Sequence, residues 1–260
     1  ICMNLDYKPP GLVAKTFMKD KSFVRGIRGP VGSGKSVACC MELMRIAVNQ
    51  SPNKSGVRRT RFAVIRNTNP QLKTTTIKTW RDWFSDEIGR FVWSPPYTHN
   101  IYFALPDKTI VECEVIFLAL DKQEDVKKLL SLELTAVWVN EAREIPKSII
   151  DACTMRCGRF PSMRDGGPSW YGVIMDTNSP DETHWWAIMS GEAPAPEYMS
   201  DDEKLLLVKP DDWTFFSQPP AMKEILDKEG NLTGYEKNSK AENQENIQSD
   251  YYDKIILGKS

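Results

Sequence analysis

The segment Gly29-Pro-Val-Gly-Ser-Gly34-Lys35-Ser36 constrains this chain more than any other. It satisfies G-x-x-x-x-G-K-[S/T] and stands where that pattern works: after a segment that reads as a strand, Phe23–Ile27, and before Val37–Val48, which has helical periodicity without Gly or Pro. Glycines let the backbone turn tightly enough for several N–H groups to converge on phosphate oxygens. The helix that follows adds the positive end of its dipole. Read this way, Gly29, Pro30, Val31, Gly32, Ser33, Gly34, Lys35 and Ser36 line the phosphates of a nucleotide. Lys35 then reaches the β- and γ-phosphates, and the Ser36 hydroxyl ligates Mg2+. The expected cofactors are ATP and Mg2+. The alternative is an ordinary glycine-rich turn with an exposed lysine, and the strand and helix around it count against that.

Short apolar runs alternate with helical patterns along the first two thirds of the chain, which predicts an α/β fold with a mainly parallel sheet flanked by helices. Strands are expected at Arg61–Ile65, Ala136–Val139 and Tyr171–Met175, with shorter β pieces at Arg90–Trp93, Ile101–Ala104 and Ile110–Leu118. Helices are expected from about Gln71 to Glu87, from Asp121 to Leu130, and from Pro146 to about Arg156. The texture changes after about residue 190. Glu192-Ala-Pro-Ala-Pro-Glu197 resembles a linker, Leu205–Val208 and Trp213–Phe216 read as short strands, and Glu229-Gly-Asn-Leu has turn chemistry. Residues 236–249 read as a polar loop, and Tyr251–Leu257 as a short closing helix. The expected division is an ATPase domain over 1–190 and a small C-terminal linker subdomain over 191–260.

Composition narrows the partners. The 260 residues carry 34 Lys+Arg against 35 Asp+Glu, so the chain is not a binder that is basic throughout. A mean hydropathy of −0.43 fits a globular core, and no apolar run approaches the ~18–20 residues of a membrane span. With no leader pattern at the first residues, the expectation is an intracellular protein without a membrane partner. Six cysteines at 2, 39, 40, 113, 153 and 157 form no CxxC pair, and only two histidines accompany them, which argues for reduced thiols and against structural zinc.

The near-zero balance is a sum of opposed regions. Residues 43–81 hold nine Lys or Arg and no acid, whereas 171–203 hold eight Asp or Glu and no Lys or Arg. Arg58, Arg59 and Arg61 form the densest basic cluster, and suit the sequence-independent phosphate contacts of a DNA track. A solvated face, or contacts to the acidic side of a neighbouring copy, would use the same residues. The tryptophans read as structural, with Trp185 and Trp186 under a site loop; Tyr7 or Phe17 would be available to stack on adenine.

Hydrolysis needs an acid near the metal and a group that activates water. Ala136-Val-Trp-Val-Asn140-Glu141 is an apolar strand ending in two polar residues, and strand ends in such sheets face the ligand crevice. Glu141 is the candidate general base. Asn140 stands where an aspartate is usual, accepts a hydrogen bond from metal-bound water but brings no charge. Asp176, at the end of the next buried strand, either compensates for it at the metal or simply forms a turn. Thr177 and Asn178 follow, placed to contact the γ-phosphate or its water, or else to build a turn closed by Pro180.

Together these pieces resemble the ATPase domain of the large terminase subunit of tailed double-stranded DNA bacteriophages. The carrying segments are Gly29–Ser36, Ile65–Thr68 with Gln71–Thr75, Ala136–Glu144 and Thr177–Pro180, and later Gln218–Ala221, Asn238, Ala241–Asn243 and Asp250–Tyr252. The resemblance implies a P-loop NTPase fold of the ASCE type. It also implies a Mg-dependent ATPase that translocates double-stranded DNA into a procapsid, working as a ring, expected to be a pentamer, with the portal protein and the small terminase subunit as partners. Its place would be the host cell cytoplasm, docked on the viral procapsid. Carried over onto this sequence, Lys35 and Ser36 bind phosphate and metal, Glu141 is the catalytic carboxylate, and Thr177-Asn178 fall at the coupling motif. Three positions depart from the pattern: Asn140, Val31 where many members carry arginine, and the absence of an arginine before the Asn140 strand. Lys127, Lys128, Arg143, Arg156 and Arg159 remain as candidates for a catalytic finger. The RNase H-like nuclease usual in the family has no acid set here, so ATP hydrolysis without DNA cleavage is expected. The competing readings are another DNA translocase of helicase type, and a nucleotide-gated assembly module that hydrolyses little.

Overall fold

The computed structural model describes residues 7–120, 123–218 and 222–237. Outside them lie Cys2, the start of the helix expected at Asp121, Pro219–Ala221, the tract from residue 238 with Asn238, Ala241–Asn243 and Asp250–Tyr252, and the closing helix Tyr251–Leu257.

The sheet is built around β1 (Val24–Arg28), whose five residues are all buried. Parallel strands flank it, β7 (Gly172–Thr177) on one side and β8 (Trp213–Ser217) on the other. Beyond β7 come β6 (Ala136–Asn140), β2 (Val57–Arg66) and β5 (Ile110–Ala119), each parallel to its neighbour. Antiparallel β4 (Tyr97–Ala104) and β3 (Gly89–Val92) complete eight strands in the order β3-β4-β5-β2-β6-β7-β1-β8. Burial follows position: β1, β6 and β7 are buried at every residue, because helices cover both faces, whereas β4 alternates buried and more exposed residues, as a strand covered on one face does.

Alternation along each strand divides the core into two layers. On one face Phe62, Val64, Trp138 and Ile174 pack with α1 (Gly11–Lys19) and α2 (Lys35–Asn49) through Phe17, Leu43 and Met44. On the other, Ala63, Ile65, Val137, Val139 and Val173 meet Ile150, Cys153 and Trp186. Gly26 is fixed by this second layer, since a Cβ there would lie 2.4 Å from the ring of fully buried Trp186. A rigid ring cannot yield, so Gly26→Ala is expected to cost about 1–3 kcal/mol, read as a lower urea midpoint.

Two elements differ from their sequence reading. The helix expected over 71–87 is a helical stretch over 69–83 with a π segment, Leu72–Ile77, and it stops at Phe84 before a short turn, Asp86–Ile88. Within it the hydroxyls of Thr74 and Thr75 donate to the carbonyls of Pro70 and Gln71, four residues back, which competes with regular α-helical bonding. Leu205–Val208 is not a strand. A capping box between Ser200 and Glu203 starts a helix, Asp201–Leu206, whose Leu205 and Leu206 are left exposed. Trp213–Ser217 is a strand, and it extends the main sheet beside β1. The turn at Glu229 joins β9 (Met222–Leu226) to β10 (Leu232–Lys237), with the Asp227 carboxylate accepting from the backbone N–H of Glu229 and Asn231.

Among the described residues no helix is long and apolar enough to cross a membrane. Cys39, Cys40, Cys113, Cys153 and Cys157 are free and buried.

Candidate nucleotide-binding site

The carboxyl ends of β1, β6 and β7 meet at one crevice, with Ile27, Asp176 and Asn140 side by side in register. Leaving β1, the chain turns through Gly29–Gly34 into α2. Gly34 is the N-cap of α2 in the left-handed region, with φ 81°, and Gly32 has φ 76°. The first-turn N–H groups of α2 have no helical partners and open on this loop, which makes a ready anion site. Val31 at the loop tip is 55% exposed, so this position supplies no cation to the site. Gln218, just after β8, grips the loop from behind: Ser33 Oγ donates to its Oε1 at 2.7 Å, its Nε2 donates to the Ser33 carbonyl at 3.4 Å, and Gly29 packs on it.

Lys35 is buried. Its Nζ donates to the Pro30 carbonyl at 2.8 Å and to Asn178 Oδ1 at 3.0 Å. Burial lowers its pKa, and the charges of Asp176 and Glu141 act the other way. Ser36, next along α2, donates to Asp176 Oδ2 at 2.7 Å.

Asp176 is completely buried and is surrounded by donors. Besides Ser36 it accepts from Trp138 Nε1 at 2.7 Å and from Asn140 Nδ2, at 3.1 and 3.0 Å to its two oxygens. Asn140 Nδ2 also lies 3.3 Å from Ser36 Oγ, while its Oδ1 accepts from Thr76 Oγ1 at 2.6 Å. The amide thus presents N–H groups, and no lone pair, to the Ser36 side. Among the described residues no group of three or more His, Cys, Asp or Glu could cage a metal ion. Mg2+ needs no such cage: it is commonly held by one or two protein oxygens, the rest coming from water and phosphate. Ser36 Oγ and the Asp176 carboxylate fit that donor set, and Asn140 as oriented does not.

Glu141 follows β6 in a left-handed conformation, φ 54°, that residues with side chains rarely adopt. Its Oε2 accepts from Asn178 N at 3.3 Å and lies 3.6 Å from Arg143 Nε. Burial raises its pKa, with the Asp176 charge adding and Lys35 opposing, the direction a general base near neutral pH requires. Thr177 and Asn178 tie these parts together. The Thr177 carbonyl accepts from Gly29 N at 3.2 Å, its hydroxyl accepts from Arg143 N at 3.2 Å, and Asn178 touches both Lys35 and Glu141. His184 Nε2 and Trp185 Nε1 bond the carbonyls of Arg143 and Ile145, so these rings brace the loop after Glu141.

The structure therefore gathers Lys35, Ser36, Asn140, Glu141, Arg143, Asp176, Thr177 and Asn178. Other candidates fall elsewhere. Arg156 and Arg159 donate to the carbonyls of Leu130 and Met155, and Lys128 pairs with Asp125. Phe17 is a core residue against Phe216, and Tyr7 packs edge-on against Trp83. Arg58, Arg59 and Arg61 sit toward the start of β2, at the opposite end of the sheet from the crevice, and are paired with Asp107, with Glu112 and Asp165, and with Glu114. Elsewhere in the basic stretch Arg66 lies near Glu144, distant in sequence, whereas Arg45 and Arg81 pair with the nearby Glu42 and Asp86. Thr76, by contrast, reaches the site without a sequence motif to mark it, its one signal being the Thr-Thr-Thr run it closes, and Trp138 reaches it from within the Ala136–Glu141 strand, where it reads as a core residue.

No family model and no curated protein matches the chain. Solved structures do. The large terminase of the thermophilic bacteriophage D6E superposes with a TM-score of 0.54 at 13% identity, over 80% of this chain and 46% of that one. Its complex with ATP-gamma-S gives 0.53 at 14% identity, over 93% and 49%. The Thermus phage P74-26 large terminase ATPase domain gives 0.51 at 16% identity, over 83% of this chain and 82% of that domain. The chain spans about half the length of the D6E protein. At these identities the likeness is one of architecture: the chain has the mainly parallel, helix-flanked P-loop fold of the phage large-terminase ATPase domain.

Proposed function

We propose that this chain is a Mg-dependent ATPase domain of a motor that drives double-stranded viral DNA into a procapsid. The observation that carries the reading is the convergence of Lys35, Ser36, Glu141, Asp176 and Asn178 on the loop Gly29–Gly34 at the carboxyl ends of β1, β6 and β7. In this reading the loop N–H groups and Lys35 hold the β- and γ-phosphates, and Lys35 exchanges its bonds to Pro30 and Asn178 for phosphate oxygens. Mg2+, when bound, supplies charge neutralisation at the phosphates, and Ser36 and Asp176 are the residues to hold it. Glu141 orients the attacking water and takes its proton; Arg143, 3.6 Å away, steadies its carboxylate. Asn178 contacts both the phosphate-binding lysine and the base, so it is placed to pass the state of the γ-phosphate to Thr177 and the loop it braces.

The packaging role rests on the architectural likeness to phage large terminases. It brings further proposals: a division into an ATPase domain (1–190) and a linker subdomain (191–260) that lends β8 to the main sheet, a ring of copies at a portal with the small terminase subunit, work in the host cytoplasm on a procapsid, and no DNA cleavage by this chain. Exposed Asp181, Glu182, Glu197, Asp201, Asp202 and Glu203 offer an acidic face to a neighbour. A DNA role for Arg58, Arg59 and Arg61 would require each to trade an internal acid for a phosphate. The nucleotide-gated module was favoured by the missing carboxylate at Asn140, and Asp176 supplies one 3.0 Å away.

Lys35→Ala tests the site. Losing charge-assisted bonds worth about 1.5–3 kcal/mol should weaken ATP binding roughly 10–150-fold. Unchanged affinity would place the nucleotide elsewhere. Stimulation of turnover by procapsids and DNA supports packaging; stimulation coupled to strand separation would favour a helicase.

A further inference from the structure

The proposed chemistry leaves one buried hydroxyl near the crevice unused. Thr76 is 2% exposed and lies in the π segment Leu72–Ile77, between exposed Lys73, Thr74 and Thr75 on one side and Lys78 beyond. Thr74 and Thr75 direct their hydroxyls to carbonyls of their own helix, whereas Thr76 directs its hydroxyl across to Asn140 Oδ1 at 2.6 Å. The extra residue of a π turn rotates the following helix face by about 100°, and such turns concentrate at functional sites.

We infer that Thr76 and Asn140 are positioning residues for Asp176: a chain of hydrogen bonds from Thr76 through the Asn140 amide to the Asp176 carboxylate aims that carboxylate at Ser36 and places the charge at the metal site on β7 instead of β6. The inference rests on the reading of Ser36 and Asp176 as the holders of Mg2+. Both ends of the amide are constrained by partner chemistry. A carboxylate only accepts, so Asn140 must turn its N–H groups to Asp176. Its oxygen then needs a donor in a buried setting, and Thr76 is the donor present. With that oxygen engaged by Thr76, Asn140 serves as a donor to Asp176, and a residue absent from every motif becomes part of the metal site's alignment. The same chain ends at Ser36 on α2, so the π segment is linked to the phosphate-binding loop through three hydrogen bonds among four side chains.

The test is a Mg2+ titration of the binding of a fluorescent N-methylanthraniloyl-ADP to the purified chain, with Thr76→Val, Thr76→Ser, Asp176→Asn and the Thr76→Val/Asp176→Asn pair. Valine keeps the shape and removes the hydroxyl. The half-saturating Mg2+ concentration should rise about tenfold in Thr76→Val, as when an outer-shell partner of a metal ligand is lost, with Mg-free nucleotide binding unchanged. Thr76→Ser should match the parent, and Thr76→Val should add nothing once Asp176 is Asn, because the chain acts through that carboxylate. A shift in Asp176→Asn without one in Thr76→Val overturns the inference and leaves the metal reading standing. Equal losses in Thr76→Ser and Thr76→Val also overturn it, since shape and not the hydroxyl would then matter. No shift in Asp176→Asn overturns the metal reading itself, and the inference with it.

Discussion

Glu141→Gln should lower ATP turnover by about 10²–10⁴-fold, the range a positioned general base contributes, while nucleotide affinity stays within about twofold. The split follows from the geometry. Glu141 bonds Asn178 N and faces Arg143, but the phosphate-holding groups are the loop N–H groups, Lys35 and Ser36, which the substitution leaves in place. Burial raises the Glu141 pKa, with Asp176 adding, so the acidic limb of the turnover profile should lie above the ordinary glutamate range. The same shift has a sign in stability. A carboxyl whose pKa is raised on folding costs nothing below its unfolded value and burdens the fold as pH rises through its folded value. Glu141→Gln should therefore melt higher than the parent at pH 8, with the gap closing in acid. A catalytically dead, more stable protein is the expected signature of a site residue held at a cost, as its left-handed backbone also indicates. Turnover equal to the parent would assign the base elsewhere.

Asp176→Asn has the second large effect, on metal and fold together. It should raise the Mg2+ requirement of turnover on the order of 10–100-fold, because the carboxylate oxygen that bonds Ser36 loses its charge. It should also destabilise the fold by about 1–3 kcal/mol, since an amide cannot accept from Trp138, Asn140 and Ser36 at once and a buried donor is left over. Asn140→Asp is the informative companion. It restores the aspartate usual at that strand end, yet it sets a second carboxylate about 3 Å from Asp176 and removes the donor that aims it. It should not raise turnover on its own. In Asn140→Asp/Asp176→Asn the charge moves to β6 and the donor to β7, and part of the lost Mg2+ affinity should return. A gain in Asn140→Asp alone, with Asp176→Asn silent, would put the metal charge back on β6.

Much of this arrangement was legible in the sequence because it is local. The phosphate loop announces itself by glycine spacing between a strand and a helix, and β6 and β7 by the continuous apolar runs expected of strands buried on both faces. What escaped depends on contacts between residues far apart. Trp213–Ser217 reads as a strand, but nothing local says that it pairs with β1, some 190 residues earlier. Leu205–Val208 looks like a strand by composition, and a four-residue cap just upstream decides for helix. Arg58, Arg59 and Arg61 look like free charge because their acids lie on β5, in the turn before it and near residue 165. Asn140 is the sharpest case. Sequence names the residue, but only its neighbours decide which end of the amide faces the site: Asp176, 36 positions on, and Thr76, 64 positions back, in a helix whose π turn no periodicity forecasts.

The most direct measurement is a crystal structure of the chain with a non-hydrolysable ATP analogue and Mn2+, in which anomalous scattering locates the ion. The phosphates should lie on the loop Gly29–Ser36, with the ion beside Ser36 Oγ, on the Asp176 carboxylate directly or through one water, and with Asn140 Oδ1 still turned to Thr76. An ion on Asn140 Oδ1, or phosphates away from that loop, would contradict it.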